Sequence, residues 1–214
     1  MSRSSSKTFK PAPAAAKRLP AWPLWLVLAG GASIKIAYWW MSRETPFYQP
    51  LLLDPAYYDQ WAHKILKGDW AGPGVFYGLP LYPYFLALCY KLSNISVEAV
   101  KFIQIGLGVL TLFFIYKIGE TLADRRVALT GAALAALYGP LFFHEGILIP
   151  EALGIPLYAA AFLAACKLNE VPSVRRGILF GVLAGLAMLT KAGIFIFVLV
   201  FCAVLFIRAK FLFS

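Results

Sequence analysis

The chain has 214 residues, 61% hydrophobic and only 14% charged, with a mean hydropathy of +0.73 and a net charge of +10. Soluble domains are about 45–50% apolar and about 25% charged, so this composition excludes a soluble globular, a disordered and a collagen-like chain. It leaves an all-α, polytopic membrane protein, since several apolar segments reach the ~17–25 residues a bilayer span needs. The bases are scattered along the chain and not gathered on one polar stretch, which argues against a nucleic-acid partner. Cys89, Cys166 and Cys202, an odd number in apolar surroundings, give neither a disulfide framework nor metal-ligand spacing.

Residues 1–20, MSRSSSKTFKPAPAAAKRLP, carry five bases and no acid and are too polar to bury an apolar face, so they read as a disordered, basic cytoplasmic tail. The membrane-embedded module then runs over 21–214. Its first span is Ala21 to Met41, interrupted only by Lys35, which is expected to snorkel to the interface. Residues 42–96 are richer in acids, aromatics, Gly and Pro and form a long loop. Two short helices are predicted in it, Pro55 to Lys67 and Pro80 to Leu92, the second lying on the membrane. Further spans are predicted over Val97 to Gly119, Val127 to Phe143 and Ile149 to Cys166, with His144 and Glu145 in a tight turn before the last. The run from Gly177 to Ile207 is too long for one span, and Lys191 beside Gly193 marks a break. A hairpin of two short helices follows, bringing the count to six crossings.

The positive-inside rule orients this arrangement. With the N-terminus inside, the cytoplasmic face collects the tail bases, Lys117, Arg125, Arg126, Lys167, Arg175, Arg176, Arg208 and Lys210, facing only Glu120, Asp124 and Glu170. The opposite face holds Glu44, Asp54, Asp59, Asp69, Glu98, Glu145 and Glu151. Both termini are therefore expected in the cytoplasm, with the long loop 42–96 outside.

Carboxylates beside apolar spans are expensive unless they face water, a cation or a partner, which makes the outer acids the informative residues. Asp54 follows three leucines and precedes Pro55, a helix-start pattern. Glu151 sits at the mouth of an apolar helix behind Pro150. Facing carboxylates from two distant loops suit general-base work, with or without a divalent cation. The plainer readings are a helix cap for Asp54 and an ion pair with Lys191 for Glu151. Asp59, Asp69 and His63 read as solvated or capping residues. Trp39, Trp40, Tyr57, Tyr58, Trp61, Trp70, Tyr77, Tyr82 and Tyr84 read as an interfacial aromatic belt, a composition that sugar- and lipid-binding surfaces share.

The order of these pieces resembles a known group. LLLDPAYYDQWAHKILKGDW followed by GVFYGLPLYPYFLALCYKL is similar to the first outer loop of the dolichyl-phosphate-mannose–protein mannosyltransferase-like enzymes. These belong to the GT-C superfamily (glycosyltransferase family 39 and the related aminoarabinose transferases). ADRRVALTGAALAALYGPLFFHEGILIPEAL resembles the family's third span and second outer loop, and VLAGLAMLTKAGIFIF resembles its helix ending in Thr-Lys. The resemblance runs from about Ile34 to Phe206 and covers the family's amino-terminal module. It implies a membrane glycosyltransferase that moves a sugar from a polyprenyl-phosphate-linked donor to an acceptor on the outer face of a bacterial plasma membrane. It also implies roles: Asp54 as the catalytic aspartate, Glu151 (with Glu145 as competitor) as the second-loop acid, and Lys191 as a contact to the donor phosphate. Membrane lipids are further expected partners, as is a second membrane chain supplying the spans that follow in longer family members. The alternative is a non-catalytic membrane scaffold or lipid-binding subunit that keeps the fold; a small transporter has no inverted repeat to support it.

Overall fold

The structure is a computed structural model that describes residues 20, 22–45, 48, 52–70 and 78–212, with side chains through residue 207. The basic tail expected over residues 1–20 thus lies, Pro20 apart, outside the described residues. Among the described residues the fold is wholly helical: α1 (Trp22–Ser42), α2 (Asp54–Leu66), α3 (Leu81–Ser93), α4 (Val97–Leu122), α5 (Arg125–Ala136), α6 (Gly139–Gly146), α7 (Glu151–Glu170), α8 (Val174–Thr190) and α9 (Phe195–Leu212). A single 3-10 turn, Ala192–Ile194, separates the last two helices.

Local chemistry explains where the helices start. Ser96 accepts from the amide of Ala99 at 3.2 Å to cap α4, and Asp124 accepts from the amides of Arg126 and Val127 at 2.7 and 2.9 Å to cap α5. Ser173 does the same for α8 through Arg176. Pro55 and Pro140 occupy the first turns of α2 and α6, where a missing N–H costs nothing. α3 stops at Asn94, whose left-handed backbone (φ 55°) ends the helix.

By length and hydropathy α1, α4 and α7 can each cross a membrane, and α5 with α6 forms a fourth candidate bent by 52°. The expected six crossings need α8 and α9 as well. These are the shorter pair, 17 and 18 residues long, on either side of the break at Lys191. α9 turns back along α8: Phe201 lies 5.0 Å from Phe180 between ring centroids, and Phe197 lies 5.4 Å from Phe162 of α7. The third expected span ends earlier than the hydropathy suggests. His144 and Glu145 are not in a tight turn but in α6, because Gly139-Pro140 restarts a helix after the break at Leu137 and Tyr138.

α4 is the central helix and packs against α1, α3, α5, α6 and α7, while α8 extends the bundle beyond α7. Helix association in lipid relies on close packing of small residues. At the α4–α5 crossing a Cβ on Gly119 would come 2.6 Å from the backbone of Ala128, so only glycine allows this approach. The loop helices α2 and α3 do not hang free. Tyr58, Trp61, Ala62 and Ile65 of α2 and Tyr82, Leu86 and Tyr90 of α3 share one buried cluster with Val100 of α4 and Leu148, from the turn before α7. That cluster seats the whole α2–α3 pair on the end of the bundle where α6 stops and α7 begins.

Candidate active site

This end of the bundle is where the acids gather. α1 delivers Lys35 and α6 delivers Glu145, whose side chains meet at 2.6 Å with only 1% and 6% of their surface exposed. Lys35 therefore does not snorkel. It lies on the face of α1 that packs into the bundle, and a carboxylate 110 residues away in sequence receives it there. A buried pair of this kind is tolerated only with good geometry, since each ion gives up its hydration. Space for the carboxylate comes from Gly108 of α4: any Cβ at that position would overlap the Glu145 carboxylate.

Beside this pair stands Gln104 of α4, fully buried. Its Nε2 donates to the carbonyls of Glu145 at 2.8 Å and Ile147 at 3.0 Å, and its Oε1 accepts from the Tyr82 hydroxyl at 2.7 Å. Helices leave their last carbonyls without partners, and Gln104 supplies them at the end of α6. The orientation of the amide is fixed by its partners, because carbonyls can only accept. Burial holds the Tyr82 hydroxyl well above its usual pKa, so it stays a donor.

One turn earlier on α4, buried Lys101 places its ammonium 3.2 Å from the centre of the Tyr48 ring, and Tyr48 donates to Glu98 at 3.0 Å. Tyr48 and Ile147 also line a cavity of about 210 Å³ with Tyr38, Ser42, Thr45, Phe143 and Gly146.

At the mouth, Glu151 begins α7 and is ion-paired with Lys191, which sits in the extended break after α8. The Lys191 side chain is 57% exposed and that of Glu151 is 25% exposed. The break is braced by the Tyr158 hydroxyl, which donates to the Lys191 carbonyl at 2.7 Å. Asp54 opens α2 with an exposed side chain, preceded by Leu53 in a left-handed conformation (φ 55°).

The sequence-predicted residues thus separate. Glu151 and Lys191 meet, Glu145 is consumed in a buried pair, and Asp54 stands on the neighbouring α2–α3 unit. Asp59 is not a freely solvated residue: it accepts from the Tyr90 hydroxyl and lies 3.6 Å from His63, tying α2 to α3. Burial and the Asp59 contact raise the Tyr90 hydroxyl pKa. Sequence reading passed over Lys101 and Gln104, although a lysine and a glutamine within one apolar span are themselves the signal. Among the described residues no group of three or more His, Cys, Asp and Glu side chains is placed to hold a metal ion.

An all-helical bundle with helices of membrane-spanning length and buried charged side chains at one end defines an integral membrane protein. The sequence model of the family described as dolichyl-phosphate-mannose-protein mannosyltransferase matches residues 73–213, and the chain belongs to that family. Glu145, Glu151 and Lys191 fall within the matched residues, while Asp54 lies before them. No curated protein and no solved structure matches the chain. Membership makes it a membrane glycosyltransferase of the GT-C type.

Proposed function

We propose that the acidic end of the bundle faces outward from the membrane and transfers a sugar from a polyprenyl-phosphate-linked donor to an acceptor hydroxyl. Asp54 takes the proton of that hydroxyl as its oxygen attacks the anomeric carbon. The bond from that carbon to the phosphate oxygen breaks, and polyprenyl phosphate leaves with the electron pair. Lys191 meets the developing phosphate charge, where a preorganised cation lowers the barrier most. Of the two second-loop acids, Glu151 is the one assigned to the site, because it is reachable at the mouth while Glu145 is 5% exposed and held by Lys35. A further membrane chain would complete the cavity wall.

The observation that carries this reading is the Glu151–Lys191 pair: an exposed lysine at a helix break, oriented by an acid, inside the family's matched stretch. The test is donor binding to the full chain in nanodiscs, using polyprenyl-phosphate-linked mannose and its aminoarabinose counterpart as probes. Lys191→Ala is expected to weaken binding about tenfold, the worth of one charge-assisted phosphate contact of about 1.5 kcal/mol. Equal affinity of wild type and Lys191→Ala for every donor removes the phosphate assignment and favours the scaffold alternative.

A further inference from the structure

The acid-bearing parts of the site come from two parts of the chain, the α2–α3 pair and the segment leading from α6 into α7. α2, which begins with Asp54, is packed on α3, and α7, which begins with Glu151, follows the turn at residues 147–150. One side chain hydrogen-bonds to both. Gln104 accepts from Tyr82 of α3 and donates to the carbonyls of Glu145, in the last turn of α6, and Ile147, the first residue of that turn. All three bonds lie between 2.7 and 3.0 Å, and both Gln104 and Tyr82 are wholly buried. Leu148, from the same turn, packs into the α2–α3 cluster, so the contact is apolar on one side and polar on the other.

We propose that Gln104 is a positioning residue that sets the spacing between the α2–α3 unit and the start of α7, and hence between Asp54 and Glu151. The inference rests on the transferase reading for its catalytic consequence, but its geometric content is independent of it. An apolar contact alone is non-directional and lets two surfaces slide. The three hydrogen bonds of Gln104 are directional, and breaking any one strands a buried polar group, which costs far more than the bond's net worth. Such a bridge therefore permits one register only. Gln104 touches no reacting atom in this scheme. Its effect on chemistry comes through placement, where a shift of about 1 Å can cost about 10²-fold in rate.

The experiment uses the full chain in nanodiscs, on a background lacking Cys89, Cys166 and Cys202, with spin labels on cysteines at Gln60 and Ala192. Both positions are exposed: the first lies on α2 and the second adjoins the lysine paired with Glu151. The wild-type bridge should give one narrow distance distribution by pulsed electron resonance. Gln104→Ala should broaden or shift it, and so should Tyr82→Phe, which deletes a single hydroxyl and keeps the ring, so that a folding failure of the first variant leaves the second to decide. Thr111→Val is the control, a buried α4 hydroxyl bonded only within its own helix. It should leave the distribution unchanged.

In parallel, release of polyprenyl phosphate from donor is measured on unlabelled protein. Gln104→Ala and Tyr82→Phe should lower kcat about 10–100-fold with KM for the donor within about threefold, a split that general loss of folded protein does not produce. Unchanged distances in both variants overturn the proposal, as do altered distances with unchanged kcat. Altered distances in a chain whose wild type releases no polyprenyl phosphate uphold the spacing role and overturn the transferase reading instead.

Discussion

The buried Lys35–Glu145 pair can be cut from either side or removed whole, and the two kinds of change should have different outcomes. Because Gln104 bonds the Glu145 carbonyl and not its carboxylate, the pair can be cut without cutting the bridge. In Lys35→Met, Glu145 is left buried without its cation, and breaking a buried pair by removing one partner costs about 3–5 kcal/mol. In Glu145→Gln it is Lys35 that is left buried without its partner, at a cost of the same order. Replacing both, Lys35→Met with Glu145→Leu, removes both charges and should restore most of the stability. Thermal unfolding of the full chain in detergent micelles checks this. At about 2–4 °C per kcal/mol for a chain of this size, each single variant should melt roughly 6–20 °C lower. Deficits of under about 2 °C, or a double variant as unstable as the sum of the singles, refute the buried-pair argument.

Three further outcomes follow from the same geometry. Gly108→Ala pushes a methyl into the Glu145 carboxylate and should lower stability by about 1–3 kcal/mol in the wild type, but much less once Glu145 is trimmed to alanine together with Lys35→Met, as paired melts will show. Burial raises the Cys89 thiol from 9.0 to about 11, so its thiolate fraction at neutral pH is about a hundredfold smaller; maleimide should spare Cys89 in the folded chain and label it after denaturation, and rapid labelling when folded would contradict its place on the buried face of α3. Impermeant thiol probes on intact cells should reach cysteines at Asp69 and Ala192 but not at Arg125 or Arg175, and the reverse pattern would invert the proposed orientation.

Much of the architecture was legible in the chain. Hydropathy located α1, α4 and α7 within a few residues, Asp54-Pro55 announced α2, and the excess length of the last apolar run required the break that falls at Lys191. These features are written in local composition and in proline and glycine chemistry. The missed features depend on pairing across the chain. Lys35 alone in an apolar helix looks like a residue that must reach water, and only Glu145, 110 residues on, makes its burial possible. Glu145 was expected in a turn because the third span was run on through Gly139-Pro140 to Phe143, whereas proline in a first turn starts a separate helix there, α6. Gln104 gave a fainter sign, one amide in a long apolar helix, and its three partners lie on α3, on α6 and just beyond α6. For the site, the pairing of Glu151 with Lys191 was among the readings of the sequence, whereas the division of labour between Glu151 and Glu145 needed burial, which no local pattern encodes.

The central claim is that Asp54 is the base of a sugar transfer at the acidic end of the bundle. Its most direct test is release of polyprenyl phosphate from a lipid-linked sugar donor by wild type, Asp54→Asn and Asp59→Asn in the same nanodiscs. Asparagine at 54 keeps the size and loses the basicity, so the rate should fall about 10²–10⁴-fold with donor binding intact. At 59 it keeps an acceptor for the Tyr90 hydroxyl, so the rate should stay within about threefold of wild type. Near-full activity in Asp54→Asn alongside a collapse in Asp59→Asn would contradict the account.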